Sequence, residues 1–390
     1  MKAIASGLYV HLPWCVRKCP YCDFNSFEAR GTLAEGAYVS ALLRDLDVAL
    51  GGLDAVPLIA SIFFGGGTPS LFSAAAIARL LEGINARCRL DPAAEITLEA
   101  NPGTAEATRF RGYIAAGVNR LSLGIQSFNP QRLHALGRIH DDREALAAIN
   151  IARGAGCNNL NLDLMFGLPG DQPGDSLLDL DQAIACAPEH ISWYQLTLEE
   201  GTAFAQRPPE LPAHDQICDD YDAGLVRLDT AGYRQYEISA YARSGRAARH
   251  NLNYWLFGDY LGIGAGAHGK RTQRDGTVWR SARVRNPERY MRAALAGTAT
   301  ETDEQISGST LATEFMLNAL RLHEGFPASL FETRTGLPLA RIAAPLAAAQ
   351  ARGWLEIVAG QVRPTAHGSR FLNDLQLLFT ALADADADPA

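Results

Sequence analysis

The chain runs to 390 residues, 47% of them hydrophobic and 20% charged, with a formal net charge of −8. That is enough to bury one large core and a smaller second one, and it offers no electrostatic footprint for nucleic acid. No stretch approaches the ~18 uncharged apolar residues of a membrane span, and the opening MKAIASGLYVHLPWC lacks a signal-peptide apolar run, so a soluble, cytoplasmic protein is expected.

In chain order, GLYVHL, IASIFFGG, EITLEA, RLSLGIQ, NLNLDLMFG and HISWYQLTL read as strands. Between them EGAYVSALLRDLDVAL, AAAIARLLEGINARC and DREALAAINIARGAG place apolar residues at helical spacing, the last closing on Gly154 and Gly156 as C-cap signals. This alternation predicts an α/β protein with a parallel sheet, a partial (β/α)6 barrel of the TIM type over 1–235. Chemistry in such barrels gathers at the C-terminal ends of the strands, and GGGTPS, EANPG, QSF and GLPGD follow the strands directly. AQRPPELPAHD, residues 205–215, reads as a loop over one face.

Residues 236–305 form a connecting region that contains HNLNYW and YLGIGAGAHG. Its Gly264-x-Gly266-x-x-Gly269 imitates a dinucleotide fingerprint, but neither the helix nor the acid that should follow is evident. The P-loop reading of GAGAHGKR fails because Arg271 stands where a Ser or Thr would ligate magnesium. The segment is read as a glycine-eased strand and turn closing the site. From 306 to 380 two helical patterns precede WLEIVAGQVRPT, a hairpin, which outlines a small winged-helix-like α+β domain. Six arginines against five acids there favour a packing or partner-docking module over DNA binding. Residues 381–390 read as a frayed Ala/Asp-rich tail.

Seven cysteines, an odd number with three clustered, suit thiolates in a reducing compartment better than a disulfide framework. Cys15, Cys19 and Cys22 lie directly after the first strand; Cys88, Cys157, Cys186 and Cys218 are scattered and read as small hydrophobes. Three thiolates on one short loop suit three irons of a [4Fe–4S] cube, whereas a structural zinc wants four closed ligands and no second Cys/His pair exists at zinc spacing. The fourth iron is left to chelate the amino and carboxylate groups of S-adenosylmethionine, whose sulfonium an electron from the cluster can cleave. Consecutive glycines at Gly65, Gly66 and Gly67, with Thr68, let backbone approach the methionine amino group closely.

The spacing C-x3-C-x2-C with Tyr21 before the last cysteine resembles the radical SAM superfamily, and GGGTP is similar to its oxygen-independent coproporphyrinogen III dehydrogenase branch. The resemblance extends over nearly the whole chain and implies further S-adenosylmethionine contacts. Glu99 would face its ribose or ammonium, Arg138 its carboxylate and Asp163 its ribose hydroxyls, with Gln126 a further polar contact and Tyr9 near the sulfonium.

The dehydrogenases carry one more cysteine two residues after the third, where this chain has Phe24, and an extension ahead of the cluster, where this chain reaches Cys15 after fourteen residues. Both departures resemble the HemW-type haem chaperones. HNLNYW fits that branch's H-N-x-x-Y-W motif, with His250 an axial haem ligand, Tyr254 and Trp255 aromatic surface for the porphyrin, and His268 an alternative ligand. The resemblance implies a protein that binds a [4Fe–4S] cluster, S-adenosylmethionine and haem. It would pass haem to acceptor proteins such as membrane respiratory enzymes, with no nucleic-acid partner and a homodimer left open. In that role the cluster governs transfer or oligomerisation, and no catalytic residue is assigned. The rival reading is the sister family's oxidative decarboxylation of coproporphyrinogen III.

Overall fold

A computed structural model describes residues 5–102, 109–306 and 308–384. The six expected strands are present: β1 (Ala5–Leu12), β2 (Leu58–Gly66), β3 (Arg89–Ala100), β4 (Arg120–Gln126), β5 (Leu160–Phe166) and β6 (His190–Gln195). They lie side by side in chain order and all parallel. Helices Glu35–Gly51, Ala74–Asn85, Phe110–Ala115, Asp142–Gly154 and Asp175–Ala185 cross between successive strands, and His214–Thr230 follows β6. Local chemistry sets their ends. Asp141 and Glu144 form a capping box at the start of Asp142–Gly154; Gly154 stays inside that helix, and Gly156 supplies the left-handed turn at φ 92°.

The sheet does not stop at six strands. From the connecting region come β7 (Arg234–Glu237), β8 (Ala240–Ala242), β9 (Tyr260–Ile263), β10 (His268–Thr272), β11 (Val278–Arg283) and β12 (Thr300–Ile306). The order is β12-β11-β10-β9-β1-β2-β3-β4-β5-β6-β8-β7, with β9 parallel to β1 and the outer strands antiparallel. β6 does not return to β1, so the barrel stays open. The glycine-eased strand expected in YLGIGAGAHG is β9; its pairing with β1, Gly7 beside Tyr260, joins residues too distant in sequence for local periodicity to announce.

Alternation along β1 to β6 divides two environments. Leu8, Val10, Leu12, Leu121, Leu123, Ile125, Leu160, Leu162 and Leu164 are buried in the main core. The intervening residues Tyr9, His11, Glu99, Arg120, Ser122, Gln126, Asn161 and Asp163 face the lumen, where the side chains other than that of Arg120 bond to one another, to Tyr194 or to backbone nearby. A closed barrel of this class fills its interior with branched apolar side chains; this lumen is lined by charge and small polar groups.

Asp45, on the first helix and 1% exposed, ties the added strands to the barrel. Its carboxylate accepts from Arg283 Nε at 2.7 Å, Tyr290 OH at 2.8 Å and Gly264 N at 3.3 Å. Removing one partner of a buried ion pair strands the other charge, so Asp45→Ala should cost about 3–5 kcal/mol; chemical denaturation measures it, and a loss under about 1 kcal/mol would refute the role.

The C-terminal unit carries helices Gly308–Ala319, Ala328–Thr335 and Ala343–Ala351. A small sheet of β13 (Phe326–Pro327), β14 (Leu355–Val358) and β15 (Gln361–Pro364) has order β13-β15-β14. Phe315 packs edge-on to Phe326 and Phe331 at 5.2 Å in its core, and helix Leu372–Asp384 lies against Gly308–Ala319. The helices and the β14–β15 hairpin match the winged-helix-like outline. Residues 385–390 of the expected tail, and Gly103 of EANPG, lie outside the described residues. Among the described residues no helix is long and apolar enough to cross a membrane.

Candidate functional site

The cysteine loop is closed at its base. Trp14–Cys15 pairs in parallel with Phe27–Glu28, and Ala29 N donates to Cys15 O at 2.8 Å. Cys22 N donates to Cys19 O at 3.2 Å in a turn of the loop, and all three thiols are half-buried and free of disulfides. Arg138 Nη1 approaches Cys19 Sγ at 3.8 Å, and Cys22 Sγ lies 3.6 Å from Ser26 Oγ. Burial pushes the Cys15 thiol up, with Cys22 and Cys19 adding to the rise. The short helix Ala203–Gln206 flanks them: Phe204 N donates to Pro20 O at 3.0 Å, and the Phe204 ring lies 6.4 Å from that of Tyr21.

Among the described residues no three His, Cys, Asp or Glu side chains converge as ligands of a single metal ion would. A cube places each thiolate on a different iron. Three separated thiols on one loop fit that group and lack the shared focus of a mononuclear site.

Above the loop the strand ends converge. Gly66 has φ 116°, and a Cβ there would stand 2.5 Å from His11 Cε1; one at Gly67 would stand 2.5 Å from Trp14 O. These two glycines therefore admit β1 and the root of the cysteine loop, a closer need than the ligand approach expected of them. Gly65 faces inward, where a Cβ would meet Tyr9 Cε2 at 3.1 Å and Glu99 Oε2 at 3.2 Å. Thr68 is buried, donating N–H to Trp14 O at 2.7 Å and accepting from Asn101 Nδ2 at 2.9 Å. Asn101 Oδ1 in turn takes Arg138 Nη2 at 2.5 Å, and Gly124 O takes it at 2.7 Å. Arg138 thus spans from the cysteine loop to the end of β4.

Glu99 accepts from Gly66 N at 3.3 Å. Burial, then repulsion from Asp163, pushes its carboxyl up to about 8. Burial also raises Asp163, although Ser122 Oγ at 2.9 Å and Asn161 Nδ2 at 2.7 Å donate to it. Gln126 takes φ 67°, a left-handed conformation rare outside glycine, and its Oε1 accepts from Tyr194 OH at 2.8 Å. Tyr9 OH bonds His11 Nδ1 at 3.0 Å, and His11 Nε2 reaches Asn25 O, on the cysteine loop, at 2.9 Å.

His250 lies deeper. It is 1% exposed, its ring stacks on Phe63 at 5.1 Å, and both nitrogens are engaged, Nδ1 with Ser61 Oγ and Nε2 with Tyr254 OH, each at 2.9 Å. As folded, no lone pair of its ring is open to a haem iron. Burial holds it down at about 3, so it is a neutral imidazole. Trp255 sits at the seam with the C-terminal unit, with the Arg321 guanidinium 4.3 Å over its ring. A cavity of about 190 Å³ opens beside Tyr254 and Trp255, lined also by Tyr260, Lys270 and Arg280. His268 is exposed at the start of β10.

The sequence reading passed over Asn101, Arg120, Ser122, Asn161, Tyr194 and Asn25. A signal existed for half of them, Arg120, Ser122 and Asn161: RLSLGIQ and NLNLDL alternate strictly, whereas a parallel strand covered on both faces reads as a continuous apolar run.

Three thiols after the first strand, a glycine turn at the end of the second and inward acids within the third and fifth are the layout of the radical SAM class. The model of the Radical SAM superfamily matches residues 9–180, and that of the HemN C-terminal domain matches residues 306–371. The chain is 47% identical over 376 residues to "Heme chaperone HemW" of Haemophilus influenzae, covering 96% of this chain and 97% of that one. To the Escherichia coli protein of the same name it is 48% identical over 375 residues, 96% and 98% covered. Among solved structures, coproporphyrinogen III oxidase (HemN) from Escherichia coli shares the fold, with a TM-score of 0.80, 22% identity and coverage of 97% and 90%. The chain belongs to the HemW-type family of radical SAM proteins.

Proposed function

We propose that this chain is a haem chaperone, which binds haem and passes it to haem-requiring acceptor proteins in the cytoplasm or at a respiratory membrane. The observation that carries this is the match along 96% of the chain to proteins named heme chaperones. Phe24 supports it: the side chain is 62% exposed on the cysteine loop, where the dehydrogenases carry a further thiol.

Cys15, Cys19 and Cys22 would hold the cluster, and Tyr9, Gly65, Gly66, Gly67, Thr68, Glu99, Gln126, Arg138 and Asp163 the S-adenosylmethionine. Bound together, the two groups supply one-electron cleavage of a sulfonium. In these roles Arg138, anchored on Asn101 and Gly124, presents its remaining N–H groups to a carboxylate, while Glu99 and Asp163 set negative charge against a cationic ligand. Haem would enter at the seam cavity, against Tyr254 and Trp255, beside Arg280 and Lys270, which are paired with Glu314 and Asp259 and would meet propionates only by exchanging those partners; His250 becomes a ligand only when Tyr254 OH leaves its Nε2. His268 is the exposed alternative.

Haem titration should give a saturable Soret band that His250→Ala or Tyr254→Phe shifts; an unchanged band in both variants places the ligand elsewhere, His268 first. Reconstituted protein given S-adenosylmethionine and coproporphyrinogen III should form no protoporphyrinogen IX, and robust vinyl formation would replace delivery by the dehydrogenase reaction.

A further inference from the structure

Arg120 opens β4 at the floor of the lumen. It is 2% exposed, yet its Nε has no hydrogen-bond partner among the described residues. Its register partner on β3, Thr97, is fully buried with Oγ1 likewise unpaired. At this point of the lumen floor two buried polar atoms therefore lack a protein partner among the described residues. The contrast is Arg283, equally buried but held on Asp45 at 2.7 Å.

The nearest candidates to neutralise Arg120 are committed elsewhere. Glu95, one inward position before Thr97 on β3, accepts Arg249 N and His250 N, both at 3.2 Å, and so caps the helix Arg249–Trp255. Asp163 takes Ser122 on one oxygen and Asn161 on the other. The guanidinium instead acts on groups from every wall: Glu99 on β3, Asp163 on β5, His190 on β6, Tyr236 on β7 and His250 on its helix. Of these, Glu99 and Asp163 are the two acids that repel each other across the lumen.

We propose that Arg120 is a positioning residue for the sulfonium ligand: its charge offsets the repulsion between Glu99 and Asp163 from a distance and spends itself on neither, which leaves carboxylate oxygens free to meet the cation. A direct ion pair would satisfy Arg120 but would occupy the acids. A lumen without Arg120 would keep Glu99 protonated to higher pH and lose its pull on a cation. Tyr9 on β1 faces Glu99 and Tyr194 on β6 faces both acids, each phenol pushed up by burial and uncharged; His11, bonded to Tyr9, is held below the usual imidazole range by burial and brings no charge. The inference rests on the S-adenosylmethionine site proposed above.

The test is calorimetric binding of S-adenosylmethionine to anaerobically reconstituted wild type, Arg120→Met, Arg120→Gln and Arg120→Lys across neutral and mildly alkaline pH, with iron content and thermal unfolding measured on each. Arg120→Met and Arg120→Gln should bind about tenfold more weakly near neutrality and recover as pH rises, the binding midpoint moving up by about one unit, while Arg120→Lys keeps the wild-type profile. Should Arg120→Met fail to fold, the Gln and Lys pair decides. Wild-type affinity in the uncharged variants, or a loss equal at every pH, overturns the positioning role and leaves the site intact. No binding by cluster-loaded wild type at any pH overturns the site and this role with it.

Discussion

Cys19→Ser, reconstituted without oxygen, should retain none of the brown iron–sulfur absorbance and essentially no bound sulfide, while the apo-protein unfolds as the wild type does. The two halves of this result have separate causes. Each corner of a cube held by three cysteines depends on a thiolate, and a serine hydroxyl stays protonated near neutrality, so losing one corner releases the cluster. Stability should hardly move, because Cys19 is half-buried, belongs to no apolar core, and the loop is fixed at its base by Trp14–Cys15 and Phe27–Glu28; substitutions of this kind stay within about 0.5 kcal/mol. Iron and sulfide assays with a denaturation curve check both. Full iron content in the variant would overturn the ligand assignment and with it both the cofactor site and the family's chemistry in this chain.

S-adenosylmethionine affinity should climb with pH, by about tenfold per unit below pH 8, and Glu99→Gln should remove that climb. The sign follows from linkage. A carboxyl pushed up from 4.5 to about 8 by burial and by Asp163 is mostly protonated at neutral pH, and a cationic ligand binds its ionised form, so binding must expel a proton whenever the pH lies below 8. The same raised value means that the unliganded fold loses stability as pH rises from 4.5 through 8, and the ligand's positive charge relieves that loss. Glu99→Gln keeps the shape and the Gly66 N–H contact, so its affinity should be pH-independent apart from the ligand's own amine, and weaker than wild type at alkaline pH. Isothermal titration of the two proteins side by side separates those contributions. Equal slopes would show that Glu99 does not meet the cation.

The cysteine loop, the glycine turn after β2 and the six βα units were legible because each is a local pattern: a spacing of thiols, a run of residues without Cβ, a repeat of strand and helix. The winged-helix outline was legible for the same reason. The expectation for HNLNYW rested on residue types alone, and here burial changes the meaning. An imidazole with both nitrogens bonded, and an indole beneath Arg321, are first of all parts of the floor and the seam. That the strands of 234–306 extend the barrel sheet was not legible, because Gly7 and Tyr260 are joined only when the chain has closed on itself.

By itself the sequence determined the donor set, since three thiols, two acids and a glycine turn are chemical identities that no packing can alter, and it determined the order in which strands deliver them. Only the tertiary structure decided what those groups feel. It set Glu99 against Asp163 across one lumen, turned Glu95 away to cap a helix, left Arg120 Nε at the lumen floor without a partner among the described residues, and hid His250 behind Tyr254. Charge, burial and access depend on neighbours distant along the chain, and a protonation state is therefore a property of the fold.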